Sequence, residues 1–182
     1  DVYKRQVSVG VPVYDTVIRV FDDNGADVPA GQPGELVISG PQVVAGYWNK
    51  PEATAAAIPE GALHTGDVGY VDDDGWFYIV DRKKDQINAS GFKVWPREVE
   101  DVLYEHPSVR EAAVVGVPDS YRGETVKAFV TLRVDAVATP AELIGFARER
   151  LAAYKVPREV VLLPEIPKTA SGKILRRQLR DA

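Results

Sequence analysis

The segment Pro167 to Arg177, PKTASGKILRR, places Lys173 directly behind Thr169, Ala170, Ser171 and Gly172, four residues too small to bury it. A phosphate-cradling Walker loop needs a glycine five positions before its Gly-Lys pair and a serine or threonine after it. Those places hold Pro167 and Ile174, so that reading fails. What remains is an ammonium on a flexible loop, suited to reaching a phosphate or carboxylate but not to enclosing one. From Lys168 onward, Lys168, Lys173, Arg176, Arg177 and Arg180 face only Asp181, a local charge of +4 in a chain whose net charge is −5. The preceding residues therefore carry −9, and an anionic ligand would be drawn to the tail. Taken by itself, a basic run near a terminus reads more simply as a solvated surface.

Other reactive groups are sparser. Asp67 follows Gly66 and reads as a turn residue, Arg82 as a surface charge and Lys84 as an exposed linker lysine. Ser90 and Gly91 form a hairpin-turn pair, with Lys93 just beyond, and Trp48, Trp76 and Trp95 read as packing residues. The absence of cysteine excludes disulfides, thiolate zinc sites and a cysteine nucleophile. His64 and His106 are too few for a histidine metal cluster, so no metal ligand is expected in this chain. The acidic balance argues against a nucleic-acid partner. No apolar run approaches the ~18 residues of a membrane span. Lys4, Arg5 and Gln6 open a terminus without the features of a signal peptide, and a cytoplasmic location is expected.

The first half reads as short strands: Val17 to Phe21, Gly34 to Gly40, Val68 to Val71 and Trp76 to Val80. The runs Asp22-Asp23-Asn24-Gly25 and Asp72-Asp73-Asp74-Gly75 supply turns, and Pro51 to Ile58 suits a short helix. This is a small antiparallel β unit. Arg82 to Asp85 has no apolar anchor and reads as a linker. Beyond it, Pro96 opens a helix with Val99, Val102 and Leu103 on one face, and Pro140 opens another with Leu143, Phe146, Ala147 and Leu151. Strands are expected over Val109 to Val117, Val126 to Val134 and Val160 to Leu163. The expected fold class is α+β, the β unit being followed by an α+β domain.

Four segments in order, GELVISGPQVVAGYWNKPEAT, LHTGDVGYVDDDGWFYIVDRKKD, SGFKVWPREVE and PKTASGKILRR, resemble the C-terminal third of the adenylate-forming enzymes. That superfamily comprises acyl-CoA synthetases, luciferases and peptide-synthetase adenylation domains. The resemblance runs from about Val9 to Asp181. The DRKKD form and the EHPSVREAAVVGVPD stretch look most like bacterial fatty-acyl-CoA synthetases.

The resemblance implies a two-step reaction. ATP and a carboxylate give an acyl adenylate and pyrophosphate, and the thiol of coenzyme A then displaces AMP. It casts Asp67 as acceptor for both ribose hydroxyls, Arg82 as a second nucleotide contact, and Lys84 as the hinge on which the small domain rotates. It casts Lys173 as the catalytic cation of adenylation. Ala89, Ser90 and Gly91 become the backbone track for the pantetheine arm, with Lys93 as a possible phosphate contact. Asn88 stands where the luciferase-like branch carries a lysine, so that lysine's role is not transferred.

The same resemblance implies boundaries. Residues 1–81 would be the C-terminal β subdomain of the large AMP-binding domain, 82–84 the hinge and 85–182 the mobile lid. The phosphate loop, the magnesium ligand and the acyl pocket have no counterpart here, and Asp1 to Gln6 departs from the pattern, which reads as a truncation or assembly artefact. ATP, coenzyme A and magnesium are the expected cofactors, a carboxylic acid the expected substrate, and an acetyltransferase acting on Lys173 a possible partner. A fragment of an amino-acid adenylation domain and a non-catalytic nucleotide-binding module remain as alternatives.

Overall fold

The computed structural model describes residues 7–181, so the departure at Asp1 to Gln6 lies outside them. The chain divides between Lys84 and Asp85 into two compact units.

The first unit is a four-stranded antiparallel sheet in the order β1 (Val17–Phe21), β2 (Gly34–Ser39), β3 (Leu63–Val71), β4 (Phe77–Arg82). Its acidic turns use side chains as acceptors. Asp22 Oδ1 takes the amides of Asn24 and Ala26 at 2.8 and 2.9 Å, and Asp72 Oδ1 takes those of Asp74 and Trp76 at 3.0 and 2.8 Å. Val20, Leu36 and Phe77 are buried, with Ile18, Val28, Val71 and Ile79 against them. Helix α1 (Pro51–Ala57) buries no residue. Strand β3 starts at Leu63, five residues before the Val68 expected from sequence, because its polar first half pairs with β2 through His64 and Leu63. Trp48 is 90% exposed, so the packing role expected for it does not hold within this unit.

The second unit is a five-stranded sheet. Strands β5 (Ile87–Ala89) and β6 (Phe92–Val94) form a hairpin, and β7 (Val109–Asp119) and β8 (Gly123–Leu132) form a long one in antiparallel register from Val109↔Leu132 to Asp119↔Gly123. β5 meets β8 at Gly123, and β9 (Glu159–Leu162) runs parallel to β8 over Lys127–Val130. Both faces are covered, which is why β7 reads as an almost unbroken apolar run. Ala112, Val114, Val126, Ala128 and Val130 face α2 (Pro96–Tyr104) and α3 (Pro140–Arg148), while Ala113, Val115 and Phe129 face Ile166 and Leu179. The start of α3 is fixed by a capping box in which Thr139 accepts from the Glu142 amide and Glu142 accepts from the Thr139 amide.

Two expectations are corrected. Arg82 to Asp85 is not an unanchored linker: Arg82 ends β4, Lys83 binds Glu35, and Asp85 is buried against Arg180. The basic tail is not a loose solvated run either, because Arg176–Arg180 forms a helix, α4, whose Leu179 is buried.

Candidate functional site

In the first unit, the register of β3 and β4 sets Asp67 opposite Arg82. Arg82 Nε lies 2.7 Å from Asp67 Oδ1, and the carboxylate remains partly open to solvent. Hydrogen bonds within β3 and from β2 hold the Thr65–Asp67 stretch. Thr65 Oγ1 donates to Leu36 O at 2.8 Å and accepts from the Asp67 amide at 3.0 Å. Glu35 Oε1 accepts from the Gly66 amide at 3.2 Å, and its Oε2 receives Lys83 Nζ at 2.9 Å with His64 Nδ1 at 3.4 Å.

Glu35 and Lys83 were not foreseen as partners, their only signal in the sequence being an acidic residue near the start of an apolar strand. Burial of Glu35 pushes its carboxyl upward, but the hydrogen bonds from Lys83 and His64 outweigh it and hold the carboxyl below the ordinary glutamate range. A folded-state value below the unfolded one adds stability that is present above the unfolded pKa of ~4.3 and is lost as pH falls through the folded pKa. Urea unfolding from pH 6 to pH 3 is expected to show wild type losing its advantage over Glu35→Gln as the pH drops below about 4. A constant difference across that range would contradict the assignment.

In the second unit, Ser90 and Gly91 link β5 and β6 by a two-residue turn with φ of 56° and 83°. Both values lie in the left-handed region, which a primed hairpin turn requires and which glycine enters without cost. The Ser90 amide donates to Arg122 O at 3.0 Å and the Gly91 amide to Asn88 Oδ1 at 3.0 Å. The turn is exposed, as are Asn88 and Lys93. Beside it lies a cavity of about 230 Å³ lined by Ser90, Phe92, Arg122, Tyr154 and Arg158, with the Phe92 and Tyr154 rings stacked at 4.7 Å.

Lys173 sits on a tight turn, not the flexible loop expected from its composition. Lys168 and Ile174 pair as a bridge, Thr169 N donates to Lys173 O at 2.8 Å, and Gly172 N donates to Thr169 O at 2.9 Å. Thr169 Oγ1 also accepts from the Lys173 amide at 3.1 Å. Gly172, at φ 80°, closes the turn. The neighbouring charge is mostly consumed within the unit, since Lys168 binds Glu111, Arg176 binds Glu100 and Arg180 binds Asp85. Among the described residues the exposed Lys173 ammonium has no carboxylate partner.

Lys84 lies in a single 3₁₀ turn, Lys83–Asp85, at the division between the units. Its neighbours are tied in opposite directions along the chain, Lys83 to Glu35 and Asp85 to Arg180, while Lys84 itself is exposed.

Sequence models of two parts of one enzyme family match the chain, the AMP-binding enzyme over residues 1–48 and the AMP-binding enzyme C-terminal domain over residues 98–173. A long-chain-fatty-acid–CoA ligase of Bacillus subtilis is 54% identical over 175 residues, covering 96% of this chain and 31% of the relative. The chain belongs to the AMP-binding enzyme family. A second long-chain-fatty-acid–CoA ligase, from Escherichia coli O6:H1, is 50% identical and covers 100% of this chain and 32% of the relative. The solved o-succinylbenzoate CoA synthetase of Bacillus subtilis, in complex with its acyl-adenylate intermediate, superposes with a TM-score of 0.91 at 37% identity, covering 99% of this chain and 37% of that one. The chain thus spans about a third of the length of the curated relatives it matches. Its α+β fold is that of these enzymes. Among its described residues, no helix is long and apolar enough to cross a membrane, and no group of three or more histidine or acidic side chains could hold a metal ion.

Proposed function

We propose that this chain supplies the C-terminal part of an acyl-CoA synthetase that joins a fatty acid to coenzyme A through an acyl adenylate. In the first step the carboxylate oxygen of the acid attacks the α-phosphorus of ATP, and the bond to pyrophosphate breaks. In the second, the coenzyme A thiol attacks the acyl carbon, loses its proton, and AMP departs. The observation that carries this reading is the Lys173 turn. It holds an unneutralised ammonium on a hydrogen-bonded turn, while three of the four cations around it, Lys168, Arg176 and Arg180, are paired.

Such a charge stabilises negative charge developing between the acid and the α-phosphate. Asp67, its carboxylate oriented by Arg82, accepts hydrogen bonds from the two ribose hydroxyls, and Arg82 donates to the nucleotide. Ser90 and Gly91 lie along the pantetheine arm. The neighbouring Arg122 and Arg158, together with Lys93, offer positive charge to the phosphates of coenzyme A. Lys84 is the hinge between residues 1–81 and 85–182. The fatty nature of the acid rests on the names of the relatives at 54% and 50% identity.

Magnesium would serve the ATP phosphates. Among the described residues no group of three or more histidine or acidic side chains could hold it. A cytoplasmic location and acetylation of Lys173 by an acetyltransferase complete the proposal. The exposure of Lys173 supports the latter.

The test is thioester formation by the full-length protein with carboxylic acids of several lengths, together with acid-dependent pyrophosphate exchange. Fatty acids are expected to support both. Amino acids supporting exchange without thioester formation would favour an amino-acid adenylation domain, and nucleotide binding without either reaction would favour a non-catalytic module. The 182-residue chain alone is expected to show no turnover, because ATP and acid must be positioned together and its sequence carries no phosphate loop. Turnover above a buffer blank would overturn that expectation.

A further inference from the structure

Helix α4 has five residues and no side-chain cap at its N-terminus, so it cannot hold its own position. What fixes it is a side chain on another element. Glu100, on α2, is buried, and both its oxygens receive Arg176 Nη2, at 2.6 and 2.8 Å. Glu100 Oε1 also accepts from the Val114 amide at 2.8 Å, and Arg176 Nε donates to Val114 O at 3.4 Å. The pair is therefore locked to β7 at both backbone groups of one residue. Arg176 begins α4 three residues after Lys173, and the link between them is short and fastened. Leu175 N donates to Pro167 O at 2.9 Å, and Ile174 packs with Leu179, Val115 and Phe129.

A buried ion pair is a poor source of stability, since desolvation offsets most of the attraction, but its geometry is strict. Strict geometry is what an electrostatic catalyst needs, because a charge displaced by about 1 Å can cost ~10²-fold in rate. We propose that Glu100, acting through Arg176, is a positioning residue that fixes where the Lys173 ammonium sits. This rests on the role of Lys173 proposed above. The Asp85–Arg180 pair, at 2.7 Å, secures the other end of the same helix, so the lysine turn and the first residue after Lys84 belong to one rigid piece of the second unit.

The variants are Glu100→Gln, Arg176→Lys, and the pair Glu100→Gln with Arg176→Met, which keeps an acceptor for the Val114 amide and leaves no lone buried charge. In the full-length enzyme, each is expected to lower the kcat of acid-dependent pyrophosphate exchange about 10- to 100-fold, with KM for ATP changed less than about twofold. Conversion of supplied acyl adenylate to thioester should stay within about twofold of wild type. Arg176→Lys keeps the charge and loses the fork, so its impairment separates orientation from simple electrostatics. In the 182-residue chain, the amides of Thr169, Gly172 and Lys173 should exchange hydrogen faster in Glu100→Gln than in wild type, and those of Ala113 and Phe129 should not.

Unchanged pyrophosphate exchange in all three variants would overturn the proposal. So would an equal loss in both half reactions with a lowered urea midpoint, the mark of a merely structural pair. If the wild-type enzyme activates no carboxylic acid, the functional reading fails, and the hydrogen-exchange result still decides whether Glu100 holds the Lys173 turn.

Discussion

Replacing Lys173 by glutamine in the full-length enzyme is expected to lower acid-dependent pyrophosphate exchange by about 10² to 10³-fold, the loss associated with removing one preorganised donor from a developing charge. On the proposed reading, in which the Ser90–Gly91 turn and not the lysine turn serves the second step, the conversion of a supplied acyl adenylate to thioester should be nearly unchanged. The structure sharpens the choice of control. Lys168, five residues earlier, is tied to Glu111, so Lys168→Gln disturbs an ion pair as well as a charge. Arg177 is exposed on α4 with no carboxylate partner among the described residues, and Arg177→Gln removes a charge of the same sign from the same segment at less structural cost. Arg177→Gln should remain active. An equal loss in both half reactions for Lys173→Gln, or an Arg177→Gln variant as damaged as Lys173→Gln, would replace a step-specific lysine by a general basic patch. Acetylated Lys173 should behave as the glutamine variant does, since both lack the charge.

Proline at position 84 is the second large effect. Lys83 is bound to the first unit through Glu35 and Asp85 to the second through Arg180, so a rotation between the units must be absorbed by the torsions between those two anchors. Lys84→Pro fixes φ near −65° at that place and restricts the preceding residue as well. One half reaction should remain within about twofold of wild type while the other slows at least about tenfold, as expected when a single orientation is trapped. Pyrophosphate exchange reports the first half and adenylate consumption by coenzyme A the second. Equal loss in both, with a lowered unfolding midpoint, would point to misfolding and remove the hinge assignment.

The strands and helices were legible wherever periodicity and turn chemistry agreed. The β-branched run at Val17, the acidic turns at Asp22 and Asp72, and the prolines opening α2 and α3 all lie where local physics puts them. The three-residue strands β5 and β6 were visible only as the turn between them, because a strand so short has no period to read. Helix α4 was hidden for a different reason. Its sequence, RRQLR, is almost wholly charged and polar, and its order comes from carboxylates some 76 and 95 residues away in the chain. The same cause made the tail look like a diffuse cationic surface. Pairing across the fold neutralises Lys168, Arg176 and Arg180 and leaves Lys173 and Arg177 without a carboxylate partner among the described residues, a selection that no count of charges along the chain can show. Asp67 and Arg82 were named from motif resemblance alone. Their meeting depends on the register of β3 against β4, and that register includes a bulge at Val68–Gly69.

The contacts that Glu100 and Arg176 make with Val114 also bear on solubility. β7 lies at the outer edge of its sheet, and an edge strand of 11 residues with free backbone groups is a template onto which another chain can add. At Val114 the outward amide and carbonyl are already occupied by side chains from α2 and α4, which deny an incoming strand its hydrogen bonds in the middle of that edge. An apolar residue at position 100 would leave the Val114 amide without its acceptor and reopen the edge. Such a chain would be prone to self-association in concentrated solution and during folding, before α4 has docked on β7.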